Sequence, residues 1–467
     1  MPDTLLTPFE HEGMWWKPDV PEEKISGTLN YDPVKGCNLS LLGQFSGSKG
    51  TIGLFPKTLA TIHGITKDSG AVTLLNNLGS GFQIKVPGIS TQRFLPSYVF
   101  MGEHIDSPET FVTSRCEFRL TNLKEWLDHR PFNIQLWPVQ PKVLDLTVLL
   151  PEQQSFSLPH ILSTLKVNAS YKTSGGSMRE FSVEVLSWLI LEPTQPQTLQ
   201  AYLDIISRIR NLVALCLGER VYVSELVLRG EEEEVIPGKT QKRRIECFYQ
   251  QNPSPIVTER NNVTFCVTID DLGQLEGEVI NKWLSLYDDI APSLDIMFSV
   301  LHTEMYLDVR FLLIAQSIEA LHRHLWPSNY VDEKQYEEIE ENLVASIPDE
   351  VASDLKAKLT GVLKYGNEFS LRRRLKEISQ KLNEKEAGDI VPLDSEFIND
   401  VVNTRNYLTH YDKALYVSAK RGKELYRLYA KLALTIMVVV FMELDTPKEL
   451  IMEKLKRHRL FGPYVGT

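Results

Sequence analysis

Cysteine is scarce. Five residues in 467 (Cys37, Cys116, Cys216, Cys247 and Cys266) make an odd number, with no two closer than 19 positions. No CxxC pair exists, so neither a zinc finger nor a disulfide framework is indicated, and reduced, buried thiols are expected. A long apolar run is missing too. The longest, 432–442, has 11 residues broken by Thr435, against roughly 20 needed to cross a bilayer, so it reads as a buried core helix with no membrane role. The first twenty residues hold Asp3, Glu10 and Glu12 and no apolar stretch, so no signal peptide is expected. The chain is therefore expected to be cytoplasmic, and the sequons at Asn38, Asn168 and Asn262 are read as chance matches. An excess of positive charge is also lacking. Fifty Lys+Arg face 61 Asp+Glu, a net charge of −11, which excludes a surface that is basic all round but leaves room for a local basic patch. With 43% apolar and 24% charged residues, the chain falls outside the collagen-like, disordered and multi-spanning membrane classes.

What is present has two textures, which predict an α+β multidomain chain. From about residue 25 to 268 the pattern is short and strand-like. Segments 27–31 (GTLNY), 72–75 (VTLL), 97–101 (SYVFM) and 263–267 (VTFCV) are rich in β-branched and aromatic residues. Turn residues separate such segments at 32–33 (DP), 68–70 (DSG) and 174–177 (SGGS). A sandwich or a large antiparallel sheet is expected, and the sandwich is preferred. One helix interrupts it, 198–218 (TLQAYLDIISRIRNLVALCLG), with apolar residues at three- and four-residue steps and Gly218 as a stop. The acidic run from Glu231 to Glu234 reads as a solvated loop tip.

After about residue 275 the texture is helical. Residues 306–326, a stripe of Leu371, Leu375, Ile378 and Leu382, the segment 397–415, and 425–444 each predict a helix, the last apolar nearly all round and therefore central. Pro292, Pro348 and Pro392 are read as marking connections. The domains expected are thus a β-rich 1–275 and an all-helical 276–467. From 351 onward 21 basic residues outnumber 15 acidic ones, so this stretch can present a basic surface.

Several constellations invite chemistry. The segment 43–50 (GQFSGSKG) resembles a phosphate loop but fails it, with Ser48 where Gly is required and Gly50 where Ser or Thr is required, so a turn is expected. His322 and His324 point about 200° apart on a helix and cannot share a metal alone, so polar residues at a helix end are expected. Arg372, Arg373 and Arg374, with Lys376, are placed on the polar side of the Leu371 stripe, either as a solvated face or as a patch touching RNA phosphates. Segment 401–412 (VVNTRNYLTHYD) is the most informative, a helix packed by Val401, Leu408 and Leu415 with Phe397 beside them. Asn406 and His410 are four apart and within hydrogen-bond reach, so Asn406 can orient the imidazole as a general acid or base requires. Arg405 can reach a phosphate that His410 also touches, and stabilise the charge of a phosphorane-like transition state without a metal. Arg405–His410 is the only Arg-Asn match with a His at this distance in the chain; an ordinary hydrogen-bonded helix end remains the alternative.

Residues 405–410 (RNYLTH) resemble the R-N-x3-H signature of HEPN domains, an all-helical nucleotide- and RNA-handling superfamily. Segments 311–323 (FLLIAQSIEALHR) and 366–375 (GNEFSLRRRL) are similar to the ApeA-type HEPN subfamily. Segments 27–31 and 97–104 (SYVFMGEH) resemble the ApeA amino-terminal domain. The resemblance implies a bacterial anti-phage protein of the abortive-infection kind, restrained until infection. Its HEPN bundle is implied to be a metal-independent endoribonuclease, without cofactor, that cuts RNA (tRNA among the candidates) to leave 2′,3′-cyclic phosphate ends. A homodimer or higher homo-oligomer is implied, because the motif helices of two chains meet across a two-fold axis. The amino-terminal module is then the sensor of a phage-derived trigger. Carried onto this chain, Arg405 and His410 are the catalytic pair and Asn406 the orienting residue, with Glu319 either a partner for Arg405 or a structural carboxylate. Two rival readings remain: a non-catalytic HEPN module binding a nucleotide or a protein, and a ligand-binding β-sandwich with helices that serve to dimerise.

Overall fold

The computed structural model describes residues 3–45, 58–83, 87–106, 111–128, 130–137, 143–177, 180–236, 239–252, 266–272 and 276–467. The chain divides into two compact units, Met1–Leu284 and Ser285–Thr467.

The first unit begins with seven strands, β1 (Phe9–Trp16), β2 (Ile25–Asp32), β3 (Gly36–Leu42), β4 (Leu59–Thr66), β5 (Gly70–Gln83), β6 (Thr91–Leu95) and β7 (Tyr98–Met101). Alternate side chains face the core, as the two-residue period of a strand requires: Leu29 and Tyr31 in β2, Leu39 and Leu41 in β3. The Asp-Pro step closes the β2–β3 hairpin, where the Asp32 carboxylate accepts from the backbone N–H of Val34 (2.8 Å) and Lys35 (2.9 Å). Strand β5 is the joint of the sheet. One edge pairs with β4; along the other, β7 meets Val72 to Leu75 and β6 meets Leu78 to Gln83, with a register shift between Gly79 and Gly81. Because β6 also pairs with β3, strands β5, β4, β1, β2, β3 and β6 close into a ring, which leaves its strands no free edge. Gly64 is required there, since a Cβ would lie 2.3 Å from the Trp15 ring, whose Nε1–H donates to the Gly27 carbonyl at 3.1 Å.

The rest of the unit comprises β8 (Val112–Thr113), β9 (Cys116–Leu120), the short helix α1 (Leu123–Trp126), β10 (Phe132–Trp137), β11 (Val143–Val148), β12 (Gln154–Leu158), β13 (Ser163–Ser177), β14 (Glu180–Pro193), β15 (Gln197–Thr198), helix α2 (Leu199–Leu217), β16 (Val223–Ile236) and β17 (Lys239–Tyr249). From β7 the sheet continues through β17, β16, β9, β14, β13 and β12, all antiparallel. The β-rich class is as expected; of the two forms expected it takes the large antiparallel sheet, curled shut at one end and accompanied by two small two-stranded sheets (β10–β11 and β8–β15), and not the preferred sandwich. The reason is the length of β5, which serves two strands along a single edge.

Helix α2 forms where its pattern predicts. Thr198 caps it, accepting from Ala201 N–H at 3.3 Å, and Gly218 ends it with φ 61°, a left-handed angle that glycine adopts freely. The acidic run from Glu231 to Glu234 is corrected: it lies inside β16, with Glu233 in register opposite Lys242. The serine–glycine stretch 174–177 likewise ends β13. Of the phosphate-loop look-alike 43–50, residues 46–50 lie outside the described residues, as do 263–265 of the VTFCV segment. All five cysteines are free thiols, four of them buried and Cys266 half-buried.

The division between units falls within α3 (Glu276–His302). Pro292 is inside this helix, where it had been expected in a connection. The second unit continues with α4 (Leu307–Leu325), α5 (Glu333–Ala345), α6 (Ser353–Leu363), α7 (Leu371–Glu384), α8 (Ser395–His410), α9 (Gly422–Glu443) and α10 (Lys448–Lys456). Helix α9 is long and apolar enough to cross a membrane, yet it is mostly buried as the core helix, packed by α4, α8 and α10. Its one interior cation, Lys431, donates to the Pro392 carbonyl (2.9 Å) and to a backbone oxygen of Thr467 (2.7 Å) and stands over the Phe397 ring. Helix α8 ends at His410, so Leu415 belongs to the following turn and the expected helical stripe stops at Leu408.

Candidate active site between helices α4 and α8

Helix α8 begins at Asp394, whose carboxylate accepts from Phe397 N–H at 2.7 Å. Phe397, Val401, Thr404 and Leu408 are buried at three- and four-residue steps, with Ile398 beside Phe397, which turns Arg405 and Thr409 outward. Helix α4 buries Phe311, Ile314, Ala315, Ile318, Leu321 and His322, and so presents Gln316, Glu319, Arg323 and His324 on its other side. Between them lies an open groove of about 520 Å³, lined by these four residues with Arg405 and Thr409.

The Arg405 guanidinium donates from Nη2 to Glu319 Oε1 at 3.3 Å and from Nη1 to Asn406 Oδ1 at 3.4 Å. Both bonds are long and the ion pair is partly solvated, so Glu319 aims the guanidinium while most of its five N–H donors stay available to an anion. The structure thus brings Glu319 and Arg405 together. It does not join Asn406 to His410: among the described residues no hydrogen bond runs between them, because the amide oxygen faces Arg405. His410 is exposed at the end of α8, about 7.5 Å further along the axis than Arg405, outside the groove lining of its own chain.

The arginine run is split by the fold. Arg372 donates to the Asn399 amide and Arg373 is exposed over the Phe369 ring at 5.2 Å. Arg374 is corrected: it is not on the polar face but 1% exposed. Its Nε donates to the Phe369 carbonyl (3.0 Å), and its Nη1 donates to Ser328 Oγ (2.8 Å) and His322 Nδ1 (3.2 Å). Since Nδ1 accepts, the His322 proton sits on Nε2, which donates to Glu377 at 3.1 Å. Burial, opposed by Glu377 and aided by Arg374, holds the His322 pKa below its ordinary value. His322 is therefore a structural group fully inside the bundle, in contrast to the helix-end polar residue expected. This network pins the last turn of α4, the turn that carries Arg323 and His324.

Arg323 and His324 are groove residues that the sequence reading missed as such. The signal was available, because 316, 319, 320 and 323 repeat at helical spacing on one face of α4. Among the described residues no group of three or more His, Cys, Asp or Glu is placed to hold a metal ion.

An all-helical unit bearing Arg-Asn-x3-His beside a polar groove is a HEPN-type module. The model for Apea-like HEPN matches residues 312–450, which include Glu319, Arg405 and His410. The model for ApeA N-terminal domain 1 matches residues 10–283, more than half of the chain. The chain belongs to the ApeA family of HEPN proteins. Neither a curated protein nor a solved structure matches it.

Proposed function

We propose that the chain is a metal-independent endoribonuclease of anti-phage defence, acting in the cytoplasm by abortive infection. The observation that carries this reading is the Arg405 guanidinium, aimed by Glu319 into an open groove that Arg323, His324 and Thr409 also line. In the reaction a 2′-oxygen attacks the adjacent phosphorus and the bond to the 5′-oxygen breaks, leaving a 2′,3′-cyclic phosphate and a 5′-hydroxyl. His410 takes the proton of the 2′-hydroxyl or returns one to the leaving oxygen, and Arg405 stabilises the extra charge of the transition state. The two residues lie about 140° apart around α8, so two α8 helices meeting in a homodimer would set His410 of one chain beside Arg405 of the other. The β-rich unit then senses a phage-derived trigger and restrains the nuclease at rest, and tRNA is among the candidate substrates.

The test is cleavage of total RNA and tRNA in excess EDTA by wild type, His410→Ala and Arg405→Ala, with product ends analysed. Cleavage by wild type alone, leaving cyclic phosphate ends, is expected. Cleavage that survives both substitutions places the active site elsewhere.

A further inference from the structure

On either side of His410 in sequence the chain builds an aromatic cluster, Tyr407, Tyr411 and Tyr416, that the groove does not use. Tyr411 has φ 51°, a left-handed conformation that is unfavourable for a bulky residue and usually given to Gly or Asn at a helix end. Its N–H bonds the Tyr407 carbonyl at 2.6 Å. Its ring stands edge-on to Tyr407 (centroids 5.6 Å, 67°), and Tyr407 stands edge-on to Tyr416 (5.8 Å, 73°). The Arg421 guanidinium lies over both Tyr416 (3.9 Å) and Tyr407 (5.2 Å), and donates to the Tyr416 carbonyl at 2.9 Å. Lys420 N–H bonds the buried Thr404 hydroxyl at 3.0 Å, tying the returning segment back to α8.

The rings are therefore held in place by the chain itself, yet Tyr411 remains 66% and Tyr416 54% exposed. Arg421 is exposed as well; in the same stretch of sequence Lys413 and Lys423 are exposed, as are Asp412 and Glu424. The Tyr411 backbone ends the helix, which needs neither the rings nor the guanidinium over them. Fixed, exposed rings beside cations are what stack an unpaired nucleobase and steer its phosphates, whereas the bases of a duplex are already stacked on one another. We propose that Tyr411 and Tyr416, backed by Tyr407 and Arg421, form a stacking platform for an unpaired base next to His410. The substrate is accordingly single-stranded RNA or the loop of a folded RNA. This inference rests on the reading of Arg405 and His410 as a ribonuclease pair, and the platform fixes which phosphate reaches them.

The experiment uses full-length His410→Ala protein, titrated into a short single-stranded RNA carrying 2-aminopurine, whose fluorescence falls on stacking. Quenching is expected, with binding about tenfold weaker in Tyr411→Ala and in Tyr416→Ala and retained in Tyr411→Phe. Tyr411→Leu, which keeps a large apolar side chain and loses the ring, should match the alanine variant, and melting temperatures within about 2 °C of the parent in both guard against a folding defect. The same RNA annealed to its complement should not compete. Equal affinity and quenching in the ring-deleted variants, or equal competition by the duplex, overturns the proposal. So does unchanged quenching with a lower mass by sedimentation, which would make the cluster a contact between two copies of the chain. Ring-dependent quenching without cleavage by wild-type protein would keep the platform and reject the nuclease; cleavage with ring-independent binding would do the reverse.

Discussion

Arg373 and Arg374 are neighbours in sequence with opposite environments, and truncating each should separate them sharply. Arg374→Ala removes three charge-assisted hydrogen bonds, at 3.0, 2.8 and 3.2 Å, from a side chain 1% exposed. It also leaves the Phe369 carbonyl, the Ser328 hydroxyl and the His322 ring without that donor. Bonds to a charged group contribute about 1.5–3 kcal/mol each but are not additive, and losing one partner of a buried ionic cluster costs about 3–5 kcal/mol. For a unit of this size each kcal/mol moves the melting temperature by about 2–4 °C, so a drop of about 10 °C is expected. Arg373→Ala removes only an exposed contact with the Phe369 ring and should cost about 0.5 kcal/mol. Arg374→Lys should recover at most about half of the loss, since one ammonium cannot reproduce the guanidinium fork. Differential scanning calorimetry of the full chain measures all three. A shift below about 2 °C for Arg374→Ala, or one no larger than that of Arg373→Ala, refutes the assignment.

Glu319→Gln should leave the melting temperature within about 2 °C, because the Arg405 pair is partly solvated, while lowering kcat for RNA about tenfold with little change in KM. An unchanged kcat would show that Glu319 does not position Arg405. His458 is buried, with Nδ1 accepting from the N–H groups of Leu460 and Phe461, and burial pushes its pKa down to about 4. Its ordinary value is about 6.5, so the unfolded chain binds the proton first. Stability from this residue is full above about pH 6.5 and falls as pH drops toward about 4, by on the order of 3 kcal/mol. Urea unfolding at both ends of that window should show a shallower pH slope in His458→Phe, and an unaltered slope would contradict the burial argument. The double variant Arg372→Ala, Arg373→Ala should weaken RNA cleavage more at low salt than at high salt, because both side chains reach solvent; equal loss at both would remove them from RNA steering.

Local signals account for most of what could be read without coordinates. Helix α2 was legible from Thr198, a three–four apolar period and Gly218, all of which act within one helix turn of where they stand. Helix α9 was legible as the central element because a segment apolar on all sides has no face to give to water. The Arg374 position was legible too, in retrospect: 371, 374, 375, 378 and 382 follow one helical stripe, so the middle arginine had to point inward with its neighbours. The same holds for His322, four residues after Ile318 on the buried face of α4. Reading charge as exposure concealed both.

By itself the sequence determined the β-rich and all-helical halves, the capped helices and the Arg-Asn-x3-His motif, because periodicity, capping and motif spacing are local properties of the chain. Only the tertiary structure decided the rest. Closure of the ring through β5 depends on pairing strands distant in sequence, and the groove depends on which face of α4 turns toward α8. Whether Glu319 meets Arg405, and whether Asn406 serves Arg405 or His410, is set by the packing of two helices 86 residues apart at that contact, a distance over which no local preference acts.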